Sequence, residues 1–279
     1  MRFFRRKFPK VGLALSGGAA KGLAHIGVLK ALREAEIPID MIAGTSMGAM
    51  IGACFAKDGE ITTVEEVALN TGWQQLARLL DPKLSFLGKG LIRGRRIEAL
   101  LHSLIGDAEF DDLQIPFAAV ATDVNAGHEV VIRKGPVVRA VRASISIPGI
   151  FVPVAFNGRC LVDGGLTNPV PADVLRDMGA KFVIAVNVVA APSPTKRVPD
   201  SPQRNEAAEI PNIFNILLQS LYIMEYEIIR HRILKADVII NPDVNDIEAF
   251  EFHKGNEAIL AGYKAAREAL PQIQKLIGK

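Results

Sequence analysis

The chain has 279 residues, 49% of them hydrophobic and 23% charged, which suits one large α/β domain and excludes wholesale disorder. A formal net charge of only +3 gives no basis for a nucleic-acid partner. Cys54 and Cys160, the only cysteines, have no metal-ligand spacing, so reduced thiols in a cytoplasmic setting are expected, with no metal and no other cofactor.

The opening "MRFFRRKFPK" places five basic residues among three phenylalanines without an acid. A tip of that kind can lie on an anionic membrane surface. A frayed, solvated terminus is the alternative. Pro9 and Lys10 follow where a signal peptide would need a long apolar core. No segment has the ~20 apolar residues that cross a bilayer.

"VGLAL" (Val11–Leu15) is a short apolar run bounded by Ser16-Gly17-Gly18 and reads as a buried parallel strand. Helical periodicity follows, with Leu23, Ile26, Leu29 and Leu32 on one face. "PIDMIAG" is β-favouring, and "MGAMIGACFA" is a helix of small residues. Strand, helix, strand, helix predicts parallel pairing through right-handed crossovers. Residues 60–115 read as mostly helical, a cap or insertion containing the apolar loop "KLSFLGKGLI". "PFAAVATDV" and "HEVVIRKG" are neighbouring strands joined at Asn125-Ala126-Gly127, and Asn157-Gly158 turns a further hairpin. A helix ending at Gly179 leads to the strand "KFVIAV". Residues 190–210, rich in Pro, Ser and charge, read as a mobile loop. A long helix ("NIFNILLQSLYIMEYEIIRHRILK"), a strand ("ADVIINPDV") and a closing helix complete the chain. Tyr222, Met224 and Tyr226 on that long helix are expected as core contacts. Residues 11–279 form one domain behind the tip at 1–10.

Three motifs can carry chemistry. "SGGAAKG" (Ser16–Gly22) lies between a predicted strand and helix but lacks the lysine interval of a phosphate loop and the alternate glycine of a dinucleotide fingerprint. It offers backbone amides at a helix N-terminus, which attract negative charge, including a developing oxyanion. Gly44-Thr45-Ser46-Met47-Gly48 follows a strand and precedes a helix, the setting of a nucleophilic serine on a sharp turn. The interval Gly44, Gly48, Gly52 also suits a close-packed membrane helix, but Thr45 and Ser46 interrupt a run too short to span. Of the five histidines, only His253 follows late enough to complete a triad, and nothing around it orients a ring; His25 reads as a packed or capping residue. The third motif, "CLVDGG", puts Asp163 at a strand end before Gly164-Gly165. A carboxylate there can take the serine proton itself if burial raises its pKa.

Together these motifs resemble the patatin-like phospholipase family, in small bacterial form. The resemblance covers most of residues 11–190. It implies a three-layer α/β/α fold with a mostly parallel sheet and a Ser–Asp dyad without histidine. Ser46 would be the nucleophile and Asp163 the base. The family's oxyanion loop maps onto Gly17, Gly18, Ala19, Ala20, Lys21 and Gly22, with the hole at Gly17, Gly18 and Ala19. Gly44, Gly48, Gly164 and Gly165 complete the motifs. Ala19 departs from the family's third glycine; it is harmless if already helical, the reading favoured here, and strained if φ is positive. The implied activity is hydrolysis of phospholipid or other acyl esters through an acyl-enzyme. Two rivals stand beside it: a lipid-surface binding protein of the same fold with an impaired site, and a nucleotide-binding protein using "SGGAAKG" as an anion loop.

Overall fold

Val11–Leu15 (β1) and Met41–Thr45 (β2) are fully buried five-residue strands that pair in parallel, and the helix Ala24–Glu34 (α1) crosses between them. This computed structural model describes residues 9–69, 94–189 and 213–278. Residues 1–8 of the tip at 1–10, the loop "KLSFLGKGLI" and the expected loop at 190–210 lie outside the described residues. After β2 the chain enters Met47–Asp58 (α2) and Thr62–Leu69 (α3), then Arg95–Ile105 (α4). Phe117–Asp123 (β3) and His128–Ile132 (β4) form the expected antiparallel pair, followed by Val137–Ser144 (α5).

Val154–Phe156 (β5) and Arg159–Asp163 (β6) are the second hairpin. Its turn residues Asn157 and Gly158 both have positive φ, as a two-residue turn between right-twisted strands requires. Ala172–Asp177 (α6) then leads to Phe182–Val186 (β7). Ile213–Arg232 (α7), Val238–Ile240 (β8) and Gly255–Ile277 (α8) finish the described chain.

The sheet is eight-stranded, ordered β5-β6-β3-β2-β1-β7-β8 with β4 also on β3. β8, β7, β1, β2 and β3 run parallel, and β4, β5 and β6 join antiparallel. Alternation along the strands divides the core. Leu13, Leu15, Ile42, Ile184 and Val186 face a large cluster with α1, α2, α4, α5 and α8. Ala14, Ala43, Val183 and Ala185 face a smaller one with α6 and Ile229 of α7. The result is the expected α/β/α sandwich. Among the described residues, no helix is long and apolar enough to cross a membrane.

One detail of the sheet places the site. β4 covers Ala119–Asp123 along one edge of β3. β2 must therefore use the other edge, where Thr45 faces Val120, and β6 uses the same edge, where Asp163 faces Ala121. β2 runs up and β6 runs down that edge until their ends meet.

Candidate active site

Ser46 leaves β2 where it would collide with the end of β6. It turns sharply with φ 53° and ψ −121° and caps α2. That conformation is costly for a side-chain-bearing residue and persists only where the surroundings enforce it. Three contacts do so. The Ser46 N–H donates to Ser144 Oγ at 2.9 Å, and Ser144 Oγ donates to the Val120 carbonyl at 2.5 Å. The Thr45 hydroxyl donates to the Asn168 carbonyl at 2.7 Å. Glycine is required on both sides of the serine: a Cβ at Gly44 would overlap the backbone of Gly48 and Ala49, and one at Gly48 would overlap the Leu15 carbonyl. The spaced glycines thus pack a helix against the sheet.

Ser46 Oγ donates to Asp163 Oδ2 at 2.6 Å, and the Gly165 N–H donates to Asp163 Oδ1 at 2.8 Å. Both side chains are buried, Ser46 at 7% and Asp163 at 5% exposure. Loss of water pushes the Asp163 pKa up to about 6, against the lowering pull of the Ser46 and Gly165 hydrogen bonds. The carboxyl is thus ionised at neutral pH yet a better proton acceptor than a solvated aspartate. The Asp163 N–H donates to the Ser146 carbonyl at 2.9 Å, so the end of α5 and the residues just after it hold both partners. Gly164 has no room for a Cβ beneath the Val120 carbonyl.

The loop "SGGAAKG" reaches the same place. Gly18 has φ 132° and Ala19 φ 47°, and a 3-10 turn over Ala19–Leu23 precedes α1. Ala19 is therefore not in the relaxed helical conformation expected from its neighbours; it holds the left-handed geometry that glycine takes at little cost. Helix propensity at Ala20 and beyond does not dictate φ at Ala19, because the chain must first turn out of β1. Of the three residues expected at an oxyanion hole, Gly17 has its N–H engaged with the Pro169 carbonyl at 3.0 Å. Gly18 and Ala19 line the pocket beside Ser46 and Asp163. Lys21 is half-buried and its N–H returns to the Gly18 carbonyl. Gly22 leaves the space that Met47 fills.

No histidine enters the site. His102, His128, His231 and His253 are exposed. His25 is fully buried, and its Nε2 donates to the Ser16 carbonyl at 2.8 Å, bracing the loop from behind. Burial drives its pKa down to about 4, so it stays neutral. The rest of the pocket wall is largely apolar, with Ile147, Pro148, Leu166, Leu218, Leu221 and the half-buried Tyr222, and one further carboxyl, that of Glu225. Tyr222 borders the pocket while packing against the large core cluster, and Tyr226 packs against the smaller one, as expected, whereas Met224 is half exposed. Among the described residues, no group of side chains could hold a metal ion. Ser144, Ser146 and Glu225 belong to the site without standing in any motif. The first two lie in the stretch "VRASISIPGIFVPV", which also looks like the segment leading to the aspartate in patatin-like phospholipases.

The profile of the family described as patatin-like phospholipase matches residues 13–176. An uncharacterised NTE family protein of Mycobacterium tuberculosis is 41% identical over 180 residues, covering 64% of this chain and 49% of the relative. Neuropathy target esterase sws of Drosophila melanogaster is 39% identical over 185 residues, covering 64% of this chain and 13% of that one. The chain thus spans about half the length of the mycobacterial relative and a small part of the fly protein. Among solved structures, VipD from Legionella pneumophila superimposes with a TM-score of 0.54 at 13% identity, over 96% of this chain and 67% of that one, a likeness of fold.

Proposed function

Since the chain belongs to the patatin-like phospholipase family, we propose that it is a serine lipid acyl hydrolase working through a Ser46–Asp163 dyad. The observation that carries this reading is the 2.6 Å hydrogen bond from Ser46 Oγ to a buried carboxylate inside an apolar-walled pocket. Asp163 accepts the serine proton as Oγ attacks the ester carbonyl. The N–H groups of Gly18 and Ala19, on a loop bent by two successive positive φ angles, take the negative charge of the carbonyl oxygen. Protonated Asp163 then gives its proton to the departing alcohol. Water attacks the acyl-enzyme, passes a proton back through Asp163, and frees Ser46. Asp163 stays fixed throughout by Gly165 on its second oxygen.

Leu218, Leu221 and Ile147 offer an acyl chain a place to lie, so the substrate class is phospholipid or another long-chain acyl ester. The protein would meet it at the surface of a membrane, from the cytoplasm. Labelling by a fluorophosphonate probe and a lipid turnover screen test the reading. Wild type should be labelled at Ser46 and consume acyl lipids, and Ser46→Ala should do neither. A folded wild type that the probe does not label would refute it.

A further inference from the structure

A second carboxyl enters the pocket from a different element. Leu218, Leu221, Tyr222 and Glu225 recur along α7 at intervals of three and four, so one face of that helix lies over the site. Glu225 lies beside Asp163, and its Oε1 fills the space that a Cβ on Gly165 would occupy. Gly165 is thus what lets this carboxyl approach the turn whose N–H holds Asp163.

We propose, on the dyad reading above, that Glu225 is a positioning residue of this site: in its protonated form it covers the Gly164-Gly165 turn and leaves Asp163 the sole negative charge of the pocket, and its ionisation shuts the reaction down.

Burial and the charges around it disfavour its ionisation at neutral pH. From β6 it faces Asp163, and from its own helix Tyr222. Glu248, in the segment after β8, adds its field to those of Glu225 and Asp163 at Tyr222, whose pKa they and burial push upward. The cations of α7 point elsewhere, Arg230 to Glu227 and Arg232 to Glu129 and Asp173. No Lys, Arg or His stands among the described residues that line the pocket. Burial, and then the Asp163 charge, carry the Glu225 pKa up to about 8, while Asp163 itself titrates at about 6. Two carboxyls in one pocket lose their protons in succession, and between those steps the pair holds a single charge.

The attack of Ser46 on an ester places new negative charge on an oxygen beside Gly18 and Ala19. A second carboxylate in the same pocket opposes that charge, and no cation among the described residues that line it offsets it. An ionised Glu225 would also draw its side chain toward water and uncover the turn behind Asp163.

The test is the pH profile of kcat/KM on an uncharged short-chain ester, measured for wild type and Glu225→Gln with Ser46→Ala as blank. Wild type should fall away on both sides, near 6 and near 8, with activity at pH 9 about one tenth of its value at pH 7. In Glu225→Gln the acid limb should remain and the ratio between pH 9 and pH 7 should approach one. A merely structural glutamate would lower the whole curve without moving the alkaline limb, so an unchanged limb in Glu225→Gln overturns the proposal. Should that variant fail to fold, infrared titration of the wild type, in which Ser46 holds the Asp163 pKa near 6, decides. A protonated-carboxyl band present at pH 7 and lost by pH 9 supports the proposal, and its absence at pH 7 refutes it. A wild type no faster than the blank would overturn the dyad and this proposal together.

Discussion

Thr45 and Asp163 stand at successive places along one edge of β3, opposite Val120 and Ala121. A parallel strand and an antiparallel strand share that edge end to end, and the collision of their ends forces Ser46 out of the sheet and against Asp163. The proposed nucleophile and its proposed base are thus brought together by strand pairing, before any side-chain network acts. Proximity set by the backbone suits catalysis, since the reacting groups need no further ordering.

Asp163→Asn should separate stability from activity. The folded-state pKa of about 6 lies above the ordinary 3.8, so the fold favours the protonated carboxyl. That preference stabilises fully below about pH 4 and is lost as pH rises through about 6. Wild type therefore bears a buried charge at neutral pH costing on the order of 2–3 kcal/mol. Asparagine can still accept from Gly165 and donate to Ser46 without that charge. Denaturant melts should show Asp163→Asn more stable than wild type at pH 7, with the gap closing below pH 4, while esterase activity falls about 10²–10⁴-fold. A variant less stable than wild type at pH 7 would contradict the assigned burial.

Ser144→Ala should damage the turn without touching Asp163, the proposed base. It removes the acceptor of the Ser46 N–H and the donor to the Val120 carbonyl, both buried. Unsatisfied groups there cost about 1–3 kcal/mol. The φ of 53° at Ser46 loses its restraint, so kcat should drop while the acid limb near pH 6 stays in place. A shifted acid limb would mean that Ser144 also tunes Asp163.

Ala19→Gly is expected to stabilise. A left-handed alanine costs about 1–2 kcal/mol, and glycine returns part of that gain through a freer unfolded chain, about 0.4–1 kcal/mol. The net gain should approach 1 kcal/mol, seen as a higher denaturation midpoint with unchanged slope. The amide direction at Gly18 and Ala19 is preserved, so activity should persist. A loss of stability would show that the Ala19 methyl, nearly buried, packs better than its backbone is strained.

Much of the fold was legible because its signals are local. Val11–Leu15 and Phe182–Val186 are apolar runs of strand length, and Asn157-Gly158 has the residues its turn demands. Ser46 was legible because two glycines must frame a nucleophile on a sharp turn, and Asp163 because strand ends gather sites. The rest depends on tertiary placement. Ser144 looks like any serine at a helix end, and only the position of β3 gives its hydroxyl two partners. Glu225 reads as one more charge on a helix until Gly165 is found beneath it. The φ of Ala19 was misread because helix propensity is an average over contexts, whereas the exit from β1 imposes a particular turn. Met224 is exposed rather than packed for a related reason: periodicity marks a face of α7 but not what that face meets.

The crossing of α1 and α8 offers a last prediction that periodicity does not suggest. A Cβ on Gly262 would overlap the Ala24 carbonyl, and one on Gly27 would overlap the Ile259 carbonyl. The two backbones touch through a pair of glycines, and the obstacle on each side is main chain, which cannot swing away. In an open helix Gly→Ala gains up to about 1 kcal/mol. In Gly262→Ala that gain should be exceeded by an overpacking cost of about 1–3 kcal/mol or more. Gly52→Ala is the control. Its added methyl would come 3.0 to 3.3 Å from side-chain atoms of Ile42, Phe117 and Leu15, which can shift, so it should be near neutral in denaturant melts. The effect should also reach the site. Separating the helices would move Ala24 and its neighbour His25, whose ring braces the Ser16 carbonyl at the base of the loop carrying Gly18 and Ala19. Esterase activity per folded molecule should therefore fall in Gly262→Ala and hold in Gly52→Ala. Equal stability of the two variants would mean that α8 can slide along α1 and that the close approach does not anchor the loop.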